Sequence, residues 1–254
     1  MRSKKLKALG DPNAQLDLTK PPQPEGHASD GTHTTKVHVD QEEQPPHAGG
    51  RTDNAHARTP EQRFRDGIGN THYETLKAEV PALRAAHPEA AALTDDEIIA
   101  LRGYVGDVRK PEFGGGRDFE RINRALRDED HQQLEILKEY IDQLKSGLSK
   151  MPQHKGRVSR MLPNEDEAFV RKEFVEGKTW TDRGFMSTSE GEALDKSWVM
   201  ISFSDTKSGR KVGALQVFSE REVVFPPGVK FEVQRVIELP PGASSRFLIF
   251  LREL

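Results

Sequence analysis

The 254-residue chain contains no cysteine. This absence excludes disulfide bonds, cysteine-ligated zinc and thiol catalysis, and it leaves the cellular compartment open. The formal net charge is only -3 at pH 7, so the composition gives no reason to expect general binding to nucleic acid. No apolar run approaches the length that crosses a bilayer, and we expect no membrane partner.

The first 60 residues contain no aromatic side chain and few aliphatic ones. Such a segment cannot bury enough apolar surface to offset its ordering entropy, so we predict a disordered leader or linker over residues 1–60. Its basic start lacks the apolar core of a Sec signal, and export would need another route. Histidines are frequent in it, but their spacing fits no zinc pattern and we expect no metal: His27, His33, His38, His47 and His56.

Residues 61–254 predict one α+β domain with helices first and strands after. Thr94 and Glu97 have the spacing of a capping box, which predicts the start of a helix. Between residues 130 and 148, leucine and isoleucine recur at three- and four-residue steps and predict a long amphipathic helix. With a shorter helix over 117–127, these segments predict a helical lobe over about 61–150.

A strand-rich core is predicted over about 151–254. Short apolar runs there alternate with proline, glycine and asparagine turns, which is typical of strands. One helix is predicted near 169–174, and the predicted strands cover residues 157–162, 184–188, 198–203, 212–218, 222–225, 230–236 and 247–251. Helices and strands are therefore expected in separate layers.

Two carboxylates stand two residues apart, at Glu220 and Glu222, at the start of an apolar strand. In an extended backbone such residues point to the same side, so both would face one pocket. Two like charges this close raise the pKa of one of them, which suits a site where one group accepts a proton. Taken alone, the pair is more typical of a solvated strand face than of a catalytic site.

Two further patterns lie on earlier strands. Arg160 sits inside the first strand, where its guanidinium either binds a phosphate or carboxylate or lies at an exposed edge. Ser187, Thr188 and Ser189 either order a neighbouring carboxylate or are ordinary polar residues at a strand end. Serine-hydrolase chemistry is not indicated, because no Gly-x-Ser-x-Gly motif is present and His154 has no evident acidic partner in the sequence.

The order and spacing of these patterns are more specific than each one alone. The arginine precedes Ser-Thr-Ser by about 27 residues, and Glu-x-Glu follows about 33 residues later. The chain from about residue 65 to 254 resembles the arginine-type mono-ADP-ribosyltransferases, which include bacterial toxins and vertebrate ectoenzymes. The resemblance is carried by INRALR at 122–127, GFMSTS at 184–189 and EREVVFPPGVKFEV at 220–233.

The resemblance implies that NAD is bound and consumed as a substrate, without a Rossmann motif. Arg160 would bind a phosphate of NAD, and Ser187 would hydrogen-bond and orient Glu222. Thr188 and Ser189 would shape the nicotinamide pocket. The family's fold is an N-terminal helical lobe packed on a two-sheet mixed β-sandwich, here preceded by the predicted disordered leader.

The resemblance also implies different catalytic roles for the two carboxylates. Glu222 would hold the 2'-hydroxyl of the nicotinamide ribose and stabilise the positive sugar as nicotinamide leaves. Glu220 would take a proton from the attacking guanidinium, whose pKa above about 12 makes a positioned base necessary. Relatives that modify other side chains often carry glutamine in place of the first glutamate, so Glu220 favours an arginine acceptor.

The leading hypothesis is a monomeric bacterial toxin or effector, secreted without a Sec signal, that modifies an arginine of a protein in the target cell's cytoplasm. A cognate immunity protein would be a further partner of a toxin used between bacteria. The alternatives are an NAD glycohydrolase, a transferase acting on nucleic acid or a small molecule, and a non-catalytic β-sandwich binding module. A glycosidase is disfavoured, because carboxylates on one strand do not flank a sugar bond.

Overall fold

The computed structural model describes residues 58–106, 108, 110, 116–162, 167–190, 199–215, 221–240, 243 and 245–254. The predicted leader, apart from its last three residues, and Glu220 lie outside these ranges. The described helices are α1 (Pro60–Ile68), α2 (Asn70–Ala86), α3 (Asp95–Val105), α4 (Asp118–Arg127), α5 (His131–Lys150) and α6 (Glu167–Glu173). The described strands are β1 (Val158–Leu162), β2 (Thr179–Thr181), β3 (Met186–Glu190), β4 (Val199–Ser204), β5 (Arg210–Lys211), β6 (Glu222–Phe225), β7 (Lys230–Glu238) and β8 (Phe247–Glu253).

Helices α1 to α5 share one apolar core. The predicted capping box is confirmed at α3, where the Thr94 hydroxyl accepts from the Glu97 backbone and the Glu97 carboxylate accepts from Thr94. The predicted stripe of α5 is confirmed as well, because Leu137, Ile141, Leu144 and Leu148 are all buried. Local spacing therefore accounts for the start of α3 and for the buried face of α5.

The strands form one mixed sheet in the order β2-β7-β8-β4-β1-β3-β6-β5. Strands β4 and β8 are parallel, and the other neighbours are antiparallel. The two halves of the predicted sandwich are joined by hydrogen bonds into this one sheet, because β1 and β3 pair through two residue pairs, Val158 with Glu190 and Ser159 with Ser189. This short joint links five strands on one side to three on the other.

The two halves of the sheet nevertheless pack face to face. Phe225 on β6 and Phe231 on β7 lie far apart in the strand order, yet their ring centroids are 5.5 Å apart. Phe203 on β4 lies 5.8 Å from Phe225 and 5.1 Å from Phe231. The sheet therefore bends back on itself at the β1–β3 joint, and these rings fill the interior of the resulting sandwich.

The predicted strand over 212–218 is wrong in its first half. Gly213–Leu215 form a 3₁₀ turn, and the short strand β5 ends just before it at Lys211. Val212 and Leu215, three residues apart, are both buried in the core of the helical lobe. A turn places residues at this spacing on one side, so burial against the lobe replaces the expected strand pairing.

The helical core extends onto the three-strand half of the sheet. Phe185 and Val224 join the buried cluster of α1 to α5, and Arg102 of α3 donates to the Leu215 carbonyl at 2.8 Å. The helical lobe thus packs against the β3 and β6 side. In the part of the chain that the structure describes, no helix is long and apolar enough to cross a bilayer.

Candidate active site

Arg160 lies at the place where the two halves of the sheet separate. Strand β1 pairs with β4 along its whole length but with β3 only as far as Ser159. Arg160 is the next residue, so its side chain enters the opening between β1 and β3. Its half-buried guanidinium donates to the Ser187 carbonyl at 3.4 Å. Because Arg160 is half-buried, it is not a fully exposed edge residue, and it places a positive charge at the mouth of the sandwich.

The β3–β6 pairing brings the serines and the second glutamate together. Ser189 is directly opposite Glu222, and Ser187 is opposite Val224. Residues opposite each other, and residues two apart on a strand, share one face of a sheet. Ser187, Ser189 and Glu222 therefore line the same face, with Arg160 beside Ser187.

Thr188 points to the other face of the same strand. It is 4% exposed, and its hydroxyl donates to the Val223 carbonyl at 2.8 Å. Its hydroxyl therefore fastens β3 to β6 from the side opposite the two serines. Glu220 lies outside the described residues, and Arg221, which follows it, accepts a backbone hydrogen bond from Glu190 at 2.9 Å.

A buried tyrosine from α3 lies beneath this group. The Tyr104 hydroxyl receives a hydrogen bond from Asn123 Nδ2 at 3.0 Å, and Asn123 Oδ1 accepts from the Phe185 backbone at 2.8 Å. Burial raises the pKa of Tyr104, and the charge of Glu222 adds to the rise. Asn123 and Ser187, which hydrogen-bond the hydroxyl, and the charge of Arg160 act in the opposite direction.

The hydrogen bond from Ser187 and the electrostatic effects of Arg160 and Glu222 place these three side chains near the Tyr104 hydroxyl. Asn123 connects that hydroxyl to the backbone just before β3. The close approach also requires glycine at 184, because a Cβ there would lie 2.8 Å from Asn123 Oδ1. The helical lobe thus holds the segment that carries Ser187 in place.

Two cavities of about 450 Å³ each meet at Arg160 and Arg127. The first runs along α4 and is lined by polar and charged side chains that include Asn123 and Arg124. The second is bounded by aromatic side chains from α6, from the residue just after it and from β2: Phe169, Phe174 and Trp180. Cationic groups at the junction and an aromatic wall to one side suit a ligand with anionic and planar parts.

Arg127 is held at this junction by Asp182. Its Nε donates to Asp182 Oδ1 at 2.9 Å and its Nη2 donates to Oδ2 at 2.8 Å. Asp182 Oδ1 also accepts from the Gly184 backbone at 2.8 Å. Asp182 thereby links the end of α4 to the segment that leads into β3.

His154 does have an acidic neighbour, contrary to the reading of the sequence. Its Nδ1 lies 3.4 Å from Glu190 Oε1, although neither ring nitrogen makes a hydrogen bond of good geometry. Hydrogen bonding from Lys211 lowers the pKa of Glu190 and outweighs the effect of burial. Within the described ranges, no three His, Asp or Glu side chains group as metal ligands do.

Comparison with known proteins identifies the family. Residues 68–249 match the family model of the ADP-ribosyltransferase exoenzymes. The chain belongs to this family. The membership confirms the resemblance predicted from the Arg, Ser-Thr-Ser and Glu-x-Glu pattern.

One curated relative and two solved structures illustrate the similarity. The NAD(+)--protein-arginine ADP-ribosyltransferase Tre1 of Serratia proteamaculans (strain 568) is 33% identical over 149 residues, which are 58% of this chain and 30% of that protein. The chain therefore spans less than a third of this relative. The type III effector XopAI from Xanthomonas axonopodis pv. citri has a TM-score of 0.61 at 20% identity, covering 78% of this chain and 84% of that chain. ADP-ribosyltransferase HopU1 of Pseudomonas syringae pv. Tomato DC3000 has a TM-score of 0.62 at 19% identity, covering 76% and 97%.

The two solved structures, at this identity, show that the fold is shared, and they confirm the α+β class. Within the exoenzyme fold of this chain, sequence reasoning missed Tyr104 and Asp182 as parts of the site. Tyr104 looks like an ordinary core residue, and Asp182 looks like an ordinary turn residue. The only sequence signal for Arg127 was its place in the INRALR segment, four residues after Asn123 and so on the same helix face.

Proposed function

We propose that this exoenzyme-family chain transfers ADP-ribose from NAD to an arginine side chain of a target protein and releases nicotinamide. The observation that carries the proposal is the β3–β6 register, which puts Glu222 opposite Ser189 and on the face of Ser187, with Arg160 alongside. The name of the Serratia relative supports both NAD as the donor and arginine as the acceptor.

Binding of NAD would use the cations at the cavity junction. Arg160 and Arg127 line both cavities, and Arg124 lines the first. Guanidinium groups bind phosphate oxygens with two donors at once, which suits the pyrophosphate. The face formed by Ser187, Ser189 and Glu222 would then receive the nicotinamide ribose.

The chemistry needs one bond to break and one to form. The bond between ribose C1' and the nicotinamide nitrogen breaks, and its electron pair leaves with neutral nicotinamide. Glu222, with its carboxylate oriented by Ser187, stabilises the positive charge that develops on the ribose. A guanidine nitrogen of the target then bonds to C1', and Glu220 takes the proton that this nitrogen loses.

The biological setting belongs to the same proposal. The chain acts as an effector in the cytoplasm of a target cell, as a monomer. Residues 1–60 serve as its leader and residues 61–254 as its catalytic domain. NAD is consumed in the reaction and no metal takes part.

Charge-neutral variants of the two glutamates test this assignment. Nicotinamide release and ADP-ribose transfer to a small guanidine such as agmatine are measured side by side. Glu222→Gln should lose both activities by about a hundredfold or more, since one preorganised charge-stabilising group contributes at least that much to catalysis. Glu220→Gln should lose transfer but keep nicotinamide release, because only the acceptor step needs the base.

Equal loss of both activities in Glu220→Gln would contradict the separate roles assigned to Glu220 and Glu222. Nicotinamide release without transfer to any guanidine or protein in the wild type would instead identify a glycohydrolase or a different acceptor. A wild-type protein that binds no NAD would leave only the binding-module alternative. In each case Glu129→Gln, which alters an exposed ion pair with Arg183, serves as the control.

A further inference from the structure

We infer that Asp182 is a positioning residue that presets the guanidinium of Arg127 for the anionic part of NAD. The inference rests on the proposed function, since it concerns how that site binds its substrate. The role assigned to Asp182 is to position Arg127 and not to contact the reacting atoms. Its effect would be exerted through Arg127 and through the backbone that it fastens.

The contact between the two side chains has the geometry of a two-point clamp. Both oxygens of Asp182 accept from Arg127, at 2.9 Å from Nε and 2.8 Å from Nη2. A bidentate pair of this kind fixes the plane of the guanidinium as well as its position. Arg127 lies at the last residue of α4, where a long side chain would otherwise sample many rotamers.

Asp182 is more deeply buried than Arg127, as expected for a residue that positions the arginine. The side chain of Asp182 is 11% exposed, whereas that of Arg127 is 41% exposed. The carboxylate is thus set into the protein, and the guanidinium that it holds stands at the open junction of both cavities. An arginine that is already ordered loses less conformational entropy when a phosphate binds.

Asp182 is itself fixed by backbone contacts on both sides of the site. Its Oδ1 accepts from Gly184, two residues before the strand that carries Ser187. Its backbone carbonyl accepts from Gly228 at 2.9 Å, in the turn that follows the strand of Glu222. Gly228 has φ of 81°, a conformation that glycine adopts without strain. One residue thereby ties α4, the start of β3 and the end of β6 together.

A second ion pair nearby allows a matched comparison. Arg183 donates to Glu129 at 2.6 Å, so this pair joins the same two segments, one residue after Asp182 and two residues after Arg127. Both of its side chains are more than half exposed, at 61% and 62%. Arg183 borders the second cavity, but Glu129, the residue that the control changes, borders neither cavity described above. An exposed pair of this kind is worth little, so its loss should leave NAD binding unchanged.

The test compares Asp182→Asn, Arg127→Gln, their double variant and the control Glu129→Gln in the full chain. Nicotinamide release at varied NAD gives kcat and KM separately, and thermal unfolding gives Tm. We expect Asp182→Asn to raise KM about three- to tenfold with kcat within about twofold, the size of one weakened charge-assisted contact. Glu129→Gln should match the wild type.

The double variant distinguishes positioning from simple support of the fold. If Asp182 acts through Arg127, the double variant has the KM of Arg127→Gln alone. Restoring a carboxylate with Asp182→Glu should recover part of the lost affinity. The inference is overturned if Asp182→Asn leaves KM unchanged, or if it lowers kcat and Tm equally with and without Arg127. A wild-type chain that releases no nicotinamide would refute the proposed function itself, which is a separate outcome.

Discussion

Asn123→Ala should show how strongly the helical lobe holds the site, because this one side chain connects α4, Tyr104 and the start of β3. Asn123 is 7% exposed and makes two hydrogen bonds, one with the Phe185 backbone and one with the Tyr104 hydroxyl. The substitution removes one hydrogen-bond partner from the Phe185 amide and one from the Tyr104 hydroxyl. A buried polar group that loses its partner costs about 1–3 kcal/mol, so we expect a loss of about 3 kcal/mol in the free energy of unfolding.

A double-mutant cycle with Tyr104→Phe measures how much of this loss comes from the hydrogen bond between Asn123 and Tyr104. Tyr104→Phe keeps the ring and removes only the hydroxyl that Asn123 contacts, at an expected cost of about 1.5 kcal/mol. Once Asn123 is alanine, the hydroxyl has lost this partner, and its removal should cost little more. The double variant should therefore lose about 3 kcal/mol rather than the sum of about 4.5 kcal/mol.

Urea unfolding of the four proteins, followed by circular dichroism, measures these differences. The exposed variant Glu129→Gln should stay within about 0.5 kcal/mol of the wild type. If the two single costs add within about 0.5 kcal/mol, the side chains do not share the interaction that the structure shows. A cost below about 1 kcal/mol for Asn123→Ala would mean that the Phe185 amide finds another partner.

Three further outcomes test other parts of the account. Burial opposes ionisation of Glu97, but bonds from Lys150, Ser146 and Thr94 outweigh it and lower its pKa below the ordinary 4.5. The stabilisation is therefore present above about pH 4.5 and lost as the pH falls below it, so Glu97→Gln should cost about 1–3 kcal/mol at pH 7 and much less at pH 3 in urea titrations. Gly184→Ala should lower Tm, because its Cβ would lie 2.8 Å from Asn123 Oδ1. Deleting residues 1–57 should leave nicotinamide release unchanged.

Features set by neighbouring residues could be predicted from the sequence. The stripe of α5 and the capping box of α3 depend on spacings of three and four residues, and both are as expected. The strand expected over 212–218 is wrong over Gly213–Leu215, because Val212 and Leu215 bury against the helical lobe, a contact between distant parts of the chain. An apolar run alone does not distinguish a strand from a turn that packs on a core.

In the candidate site, too, the features set by neighbouring residues were predicted and those set by distant contacts were not. Glu222 and Ser189 were identified by motif, but their direct opposition depends on a register between strands about 33 residues apart. The role of Asp182 gave no signal in the sequence, because it depends on where α4 ends in space relative to β3. The sequence therefore indicated which residue types the site contains, and the structure adds the groups that hold them.

The most direct test of the central claim is transfer of labelled ADP-ribose from NAD in bacterial and eukaryotic lysates. Wild-type protein and Glu222→Ala are compared on a gel, with Glu129→Gln as the control. We expect a discrete labelled protein band with the wild type and the control, absent with Glu222→Ala, and removable by reagents that cleave ADP-ribosyl-arginine. An equally strong band with Glu222→Ala, or no labelled protein in either lysate, would contradict the claim.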